Sequence, residues 1–169
     1  LGSALRRLLA GARAEKIIYT DVDLPFGVDV MPVLLAALNT ADIAVASRYY
    51  GRKNAVPFKR KTVSRAYYHF VNFLLGCPVR DIGSGTVALK RNKVRALGLE
   101  ARGFDIHAEL YVRARQAGLL IKEIPADCFD DGRGSFRILR HAWPVVRDTA
   151  FLWKRLSGGK PGPAAAPAP

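Results

Sequence analysis

Hydrophobic residues recur along the chain at two spacings, one typical of helices and one typical of strands. Leucines at helical spacing fill residues 1–13 until Gly11 closes the pattern, and the short β-rich run KIIYT comes next. The same alternation continues to residue 156. It predicts helices at 1–13, 29–38, 62–75, 93–97, 105–116 and 138–156, and strands at 16–20, 42–47, 86–89 and 119–125.

Strands that alternate with helices through short connections indicate an α/β sheet with helices packed over it. Residues 48–61 interrupt the alternation with a basic segment that contains Gly51 and Pro57, which predicts a loop. Residues 157–169 are rich in Gly, Pro and Ala and are expected to be a disordered tail. The predicted organisation is one domain over residues 1–156 followed by that tail.

The charge balance indicates what kind of partner the domain has. The 169 residues include 27 Lys or Arg against 14 Asp or Glu, so the formal net charge is +13. This excess favours a polyanion or a membrane surface without choosing between them. No run of about 18 apolar residues occurs, so any membrane contact is expected to be peripheral. The predicted last helix suits such contact, because basic residues there accompany Trp143, Phe151 and Trp153.

Cysteine usage and the first residues bear on the compartment and on the extent of the chain. Cys77 and Cys128 are too few and too far apart for a disulfide framework or a zinc site, which fits a reducing compartment. We expect both to be small buried apolar residues. The chain starts at Leu1 without Met or a leader pattern, so we expect it to be cut from a longer protein.

The sharpest chemical signal is the pair Asp21 and Asp23 directly after the first predicted strand. Two carboxylates one residue apart at a strand end can approach one divalent cation, and Mg²⁺ or Mn²⁺ bound there neutralises a diphosphate. The alternative is a solvated pair of side chains in a turn. The position after KIIYT favours the metal site.

Two basic segments are candidates for binding phosphate. Arg48, Arg60 and Ser64 offer guanidinium forks and a hydroxyl, and the stretch from Arg133 to Arg137 is a possible closing clamp. Ordinary solvated basic loops are the alternative in both cases.

Acidic residues further along are candidates for the pocket itself. Asp81 opens the turn-rich stretch DIGSG, which lacks the Lys and Ser/Thr spacing of a P-loop. Its alternative is a tight loop with an Asx cap. Glu109 lies among apolar residues of a predicted helix, where a carboxylate is costly without a partner or a task.

Six stretches, in this order, resemble the family-two glycosyltransferases of GT-A fold, most closely the dolichyl-phosphate mannosyltransferase and dolichyl-phosphate glucosyltransferase group. They are IIYTDVDL, ASRYYG, KRKTVSRAYYHFVNFLLG, VRDIGSGTVALKR, GFDIHAELYVRARQAG and IKEIPADCFDDGRGSFR. The resemblance implies a partial GT-A fold, a mixed sheet flanked by helices, without the N-terminal strands that bind the nucleotide base in that family.

The resemblance also implies roles for single residues. Asp21 and Asp23 match the metal-binding and donor-diphosphate motif, and Asp23, Asp81 and Glu109 fall on catalytic positions. Pro25 stands where some members carry a Gln near the metal, and proline offers no such ligand. The residues implied to bind substrates are Arg48, Arg60, Ser64, Arg133, Ser135 and Arg137.

The implied reaction is an inverting transfer of a hexose from GDP-mannose or UDP-glucose to a polyprenyl or dolichyl phosphate, with Mg²⁺ or Mn²⁺. The implied place is the cytoplasmic face of a membrane, with peripheral attachment. A transferase with a glycan or soluble acceptor is the nearer alternative. A basic nucleic-acid-binding module is the alternative of another class, disfavoured because Tyr67, Phe70 and Phe73 are predicted to lie in the core.

Overall fold

The computed structural model describes residues 1–51, 58–129 and 138–157, without the side chains of residues 59, 60, 138–145 and 157. The predicted clamp of Arg133, Ser135 and Arg137 and residues 158–169 of the predicted tail lie outside the described residues, whereas Ser157, predicted to begin the tail, is the last residue of a helix. Helices and strands alternate as the sequence predicts. The elements are α1 Gly2–Gly11, β1 Lys16–Thr20, α2 Val30–Ala37, β2 Ile43–Ser47, α3 Phe58–Leu75, β3 Thr86–Lys90, α4 Arg91–Arg95, α5 Ile106–Gln116, β4 Ile121–Pro125 and α6 Ile138–Ser157.

The described strands form one mixed sheet in the order β1-β3-β2-β4. Strand β3 is antiparallel to β1 and to β2, whereas β2 and β4 are parallel. Because β3 is reversed, its amino end lies beside the carboxyl ends of the other three strands. We call this end of the sheet, marked by Thr20, Ser47, Thr86 and Pro125, the polar edge.

Helices cover both faces of the sheet. Residues of α1, α3, α4, α5 and α6 form one core with the sheet. Val30 and Leu34 of α2, with Leu38 directly after it, form a second core on the other face. All five residues of β2 are buried, as expected of a strand covered on both sides. Helices α3 and α6 are joined by a hydrogen bond of 3.0 Å between the hydroxyls of Tyr67 and Thr149. The predicted α/β class, with a mixed sheet flanked by helices, is confirmed.

The predicted bounds of α3 and α4 differ most from the structure. Helix α3 begins at Phe58, four residues before its predicted start at residue 62. The segment Phe58-Lys-Arg-Lys has no apolar period, so hydrophobic periodicity could not predict a helix there. Lys and Arg are nevertheless good helix formers. Helix α4 covers Arg91–Arg95 rather than 93–97, because it starts directly after β3 with Lys90 as its extended N-cap.

The aromatic residues of α3 divide between core and solvent. Tyr67 and Phe70 pack against the core as predicted. Phe73 does not, since 88% of its surface is exposed. It lies two residues from the buried Val71, which is about 200° around a helix.

Both cysteines are buried, as the sequence predicts. Burial raises the pKa of the Cys77 thiol to about 11, so this thiol stays protonated at neutral pH. Among the described residues, no helix combines the length and apolar character that crossing a membrane requires.

His107 of α5 is buried between two aromatic rings. Its ring centroid lies 5.7 Å from that of Tyr19 and 6.4 Å from that of Tyr111. Only 6% of the residue is exposed, and its Nε2 atom has no hydrogen-bond partner among the residues that the structure describes. This burial disfavours the imidazolium and lowers the pKa of His107 to about 4.

The buried histidine predicts a loss of stability in mild acid. An unfolded histidine binds a proton near its ordinary pKa of about 6.5, whereas the folded one stays neutral until about pH 4. As the pH is lowered from about 6.5 to about 4, the free energy of unfolding is expected to fall by up to about 1.4 kcal/mol per pH unit. Urea unfolding at a series of pH values measures the slope. His107→Gln should flatten it and the exposed His69→Gln should not; equal slopes in all three proteins would contradict the assignment.

Candidate active site

Polar residues from three strands and one loop meet at the polar edge. Strand β1 ends at Thr20, and the N–H of the next residue, Asp21, donates to the carbonyl of Gly85 at 2.7 Å. Ser47, the last residue of β2, pairs with Pro125 of β4. Continuing the β2–β3 register places Ser47 level with Gly85. The strand ends therefore form one row across the sheet.

The predicted metal-binding pair lies on a tight turn at the end of β1. The N–H of Leu24 donates to the carbonyl of Asp21 at 3.0 Å, and the side chains of both Asp21 and Asp23 are exposed. Leu24 has φ of 45°, a left-handed conformation that is uncommon outside glycine. Such a conformation persists where the surroundings fix it, and here the N–H of Gly27 also donates to the Leu24 carbonyl at 2.8 Å. The sharp turn presents the carboxylates to solvent at the polar edge.

Position 85 is glycine because Asp21 occupies the space of a side chain. A Cβ atom on Gly85 would overlap the carboxylate of Asp21. The same addition at Gly83 would meet only the Arg48 guanidinium at 3.6 Å, an ordinary contact distance. The second glycine of the G-S-G stretch thus lets the first carboxylate of the pair lie against the sheet.

The carboxylate of Asp81 is wholly buried and paired with Arg48. The guanidinium donates from Nη2 to Oδ1 at 2.7 Å and from Nε to Oδ2 at 2.9 Å, and the backbone N–H of Arg48 donates to Oδ2 at 3.0 Å. Burial disfavours the charged guanidinium, but the pairing with Asp81 outweighs it and raises the pKa of Arg48 above its ordinary value. The Nη2 atom also donates to the Gly83 carbonyl at 3.1 Å. Asp81 therefore holds Arg48 in one orientation.

The basic cluster predicted from the sequence is partly brought together. The hydroxyl of Tyr49, next to Arg48, donates to the Ser64 hydroxyl of α3 at 2.9 Å. This bond ties the amino-terminal half of α3 to the loop after β2. Arg60 lies on α3, but its side chain is outside the described residues.

Glu109 lies in a different environment from the other predicted site residues. Its carboxylate is buried and accepts the backbone N–H groups of Glu100 at 2.9 Å and Ala101 at 2.7 Å. It also pairs with Nε of Arg113 at 2.9 Å. Glu109 and His107 lie on different sides of α5, about 200° apart around the helix, and it is the ring of His107 that stacks on Tyr19. The contacts seen for Glu109 are those of a structural carboxylate, and its catalytic role stays a prediction.

The loops behind the polar edge touch closely. A Cβ atom on Gly51, in the loop after β2, would overlap the backbone carbonyl of Ala126, in the loop after β4. The N–H of Ala126 in turn donates to the Ser47 carbonyl at 3.2 Å. The two loops therefore meet backbone to backbone.

The aspartate pair fits a hard divalent cation. Both side chains are exposed oxygen donors on one turn, and Mg²⁺ in proteins commonly takes one or two carboxylates together with phosphate oxygens and water. Among the described residues, no group of three or more His, Cys, Asp or Glu is placed to hold a metal ion. Any ion here would therefore take two protein carboxylates at most from the described part of the chain. Its identity stays a prediction.

One polar group of the site was missed by the sequence analysis. Glu123 of β4 accepts hydrogen bonds from the Ser47 hydroxyl at 2.9 Å and from the backbone N–H groups of Arg80 and Asp81. The sequence did contain a signal for this residue. Glu123 is a charged residue within a short strand, and a carboxylate that becomes buried needs a specific partner.

Comparison with known proteins identifies relatives among sugar transferases. No family model matches the chain. The chain is 32% identical over 161 residues to glycosyltransferase AglD of Haloferax volcanii, covering 92% of this chain and 26% of that protein. It is 29% identical over 161 residues to the dolichol-phosphate mannosyltransferase of Pyrococcus furiosus, covering 87% of this chain and 45% of that protein. It is also 29% identical over 116 residues to the undecaprenyl-phosphate mannosyltransferase of Micrococcus luteus, covering 66% and 48%.

A solved structure shares the fold. Glucosyl-3-phosphoglycerate synthase of Mycobacterium tuberculosis, in complex with UDP, superposes with a TM-score of 0.66 over 94% of this chain and 55% of that one, at 22% identity. The chain thus spans between about a quarter and a half of the length of the named relatives. The resemblance predicted from the sequence is confirmed: the chain is homologous to glycosyltransferases that include dolichol- and undecaprenyl-phosphate mannosyltransferases, and it has a GT-A-like fold.

Proposed function

We propose that the protein containing this chain transfers a hexose from a nucleotide-sugar to a polyprenyl or dolichyl phosphate, with inversion at the anomeric carbon. The observation that carries the proposal is the placement of Asp21 and Asp23 on one exposed turn at the polar edge, beside the buried pair of Arg48 and Asp81. Homology to proteins named as dolichol- and undecaprenyl-phosphate mannosyltransferases supports the class of acceptor.

The donor side of the site has to handle growing negative charge. As the glycosidic bond breaks, the nucleoside diphosphate takes the bonding electrons and leaves as an anion. A Mg²⁺ or Mn²⁺ ion held by Asp21 and Asp23 would supply neutralisation of that diphosphate. Asp21 is kept in place by its contact with Gly85, so the carboxylate is already oriented before substrate arrives.

The acceptor side needs little base catalysis. A lipid phosphate is already an anion at neutral pH, so an oxygen of the phosphate attacks the anomeric carbon without first losing a proton to the protein. The protein has to hold that phosphate beside the donor. We assign this to Arg48 and to the Ser64 hydroxyl, which Tyr49 links to the loop of Arg48. Arg60 and residues 133–137, which the sequence predicts to bind phosphate, are proposed to contribute further contacts to the substrates.

Peripheral attachment at the cytoplasmic face of a membrane is part of the proposal. Phe151, Lys154 and Arg155 lie together on one exposed side of α6, and Trp153, also exposed, lies about 200° around the helix from Phe151. Aromatic and basic side chains on one side of a helix suit the boundary between acyl chains and anionic headgroups. A lipid-borne acceptor would be reached from such a position.

The full-length protein is expected to consume GDP-mannose or UDP-glucose only when a divalent cation and a polyprenyl phosphate are both present. Release of nucleoside diphosphate and the formation of a glycosylated lipid are the measurements. EDTA should stop turnover, and Mg²⁺ or Mn²⁺ should restore it. Transfer to 3-phosphoglycerate or to a glycan instead of the lipid phosphate would contradict the proposed acceptor. Steep salt-dependent binding to nucleic acid without turnover would contradict the proposal that the protein is an enzyme.

Asp23→Ala is expected to lower kcat by at least about 100-fold, because one of two protein ligands to the cation is lost. The side chain is exposed, so the melting temperature should stay within about 2 °C of the parent protein. Asp29→Ala is the matched control, since Asp29 is also exposed and makes no side-chain cap bond to α2. Retained turnover in Asp23→Ala would refute the metal assignment.

Gly85→Ala tests whether the contact with Asp21 orients the cation site. The added methyl group displaces the carboxylate, and a misplacement of about 1 Å in such a site can cost about 100-fold in rate. We expect kcat/KM to fall by about 10- to 100-fold and the concentration of Mn²⁺ needed for half-maximal activity to rise. Gly83→Ala, where the methyl group has room, should leave both within about twofold. Equal effects of the two substitutions would contradict the orienting role of Gly85.

A further inference from the structure

Glu123 of β4 uses both carboxylate oxygens on groups that surround Asp81. Oε1 accepts from the Ser47 hydroxyl at 2.9 Å and from the N–H of Asp81 at 3.0 Å, and Oε2 accepts from the N–H of Arg80 at 3.0 Å. Two successive peptide N–H groups therefore point at one side chain. They belong to a segment, residues 76–85, that contains no helix or strand.

These bonds add to the core packing of Val79 and Ile82 in fixing the segment, and they determine where its backbone N–H groups point. Asp81 is buried, and a buried backbone N–H without an acceptor costs about 1–3 kcal/mol, whereas Arg80 is exposed. Further along the segment, the hydroxyl of Ser84 donates to the Ala46 carbonyl at 2.6 Å. Asp81, whose side chain is wholly buried, is therefore held at its own N–H by Glu123 and lies three residues before the bond of Ser84.

The position of Asp81 decides the position of Arg48. The Asp81 carboxylate receives the backbone N–H, Nε and Nη2 of Arg48, so the whole arginine follows any movement of that carboxylate. A chain of direct hydrogen bonds thus runs from Glu123 on β4, through the peptide of Asp81, to the guanidinium at the end of β2.

We infer that Glu123 is a positioning residue for the acceptor phosphate, acting through Asp81 on Arg48. The inference rests on the proposed function, since it is the proposed acceptor that Arg48 contacts. Glu123 itself need not touch either substrate. Its loss should therefore weaken acceptor binding while leaving the cation and donor side, built around Asp21 and Gly85, largely unchanged.

The test uses the full-length protein carrying Glu123→Gln, in which one carboxylate oxygen becomes an amide nitrogen that does not accept hydrogen bonds. We expect the KM for undecaprenyl phosphate to rise by about tenfold or more, with the KM for the nucleotide-sugar and kcat within about threefold. Lys122→Ala is the control on the same strand, because Lys122 is exposed and its ammonium group contacts Thr40 instead. Equal changes in both KM values would overturn the inference.

A double-mutant cycle separates action through Arg48 from a general loss of structure. In an Arg48→Lys background, Glu123→Gln should add less than about twofold to the acceptor KM, because the group that it positions is already altered. Fully additive effects would overturn the inference.

Should Glu123→Gln fail to fold, Ser47→Ala removes a neighbouring donor and leaves both peptide N–H contacts in place. It should give a smaller rise in the acceptor KM.

Hydrogen exchange supplies a readout that does not depend on turnover. The N–H groups of Arg80 and Asp81 should exchange at least about tenfold faster in Glu123→Gln, while those of α5 should not change. If the parent protein transfers no sugar, the proposed function fails, and this measurement still decides whether Glu123 holds the loop. Unchanged exchange at Arg80 and Asp81 would overturn the inference whatever the activity.

Discussion

The buried carboxylate of Asp81 is the constraint on which the polar edge depends. It lies in a segment without helix or strand, yet no part of its side chain reaches solvent. A charge in that position is tolerated only with a close counter-charge and hydrogen bonds to its remaining lone pairs, and Arg48 supplies both. The loop before β3 and the end of β2 are therefore joined by an interaction that would be costly to break on one side only.

The same pair changes how the basic loop is understood. Counted along the sequence, Arg48 is one of many positive charges that make the chain strongly cationic. In the structure its charge is balanced by Asp81, so it is better described as an oriented donor than as part of a free positive field. Charge that attracts an anionic acceptor from a distance has to come from other basic residues, whereas Arg48 gives direction at close range.

Most of the fold followed from hydrophobic period and turn residues. The four strands were predicted because short β-rich runs were bounded by polar or glycine-containing turns, and the bounds of β1 were predicted without error. The start of α3 was missed because Lys and Arg form helices without leaving a period, and Phe73 was misplaced because aromatic character was taken for burial. The order of the strands needed the structure, since no local pattern shows that β3 runs between β1 and β2.

The candidate site was predictable where chemistry is local and not where it is shared between distant segments. The adjacent carboxylates of Asp21 and Asp23 could be recognised because they share one turn. Glu123 was overlooked because its partners lie 42 and 43 residues away along the chain. Glu109 is a different case, because the resemblance implies a catalytic position and its contacts in the structure are with the loop at Glu100 and with Arg113. Its catalytic role stays a prediction.

The close approach of Gly51 to the carbonyl of Ala126 limits which residue can stand at position 51. Any side chain there would overlap the backbone of Ala126, so the loop after β2 would have to move away from the loop after β4. Because Arg48 and Tyr49 lie in the same loop as Gly51, such a movement would reach the residues to which the acceptor phosphate is assigned.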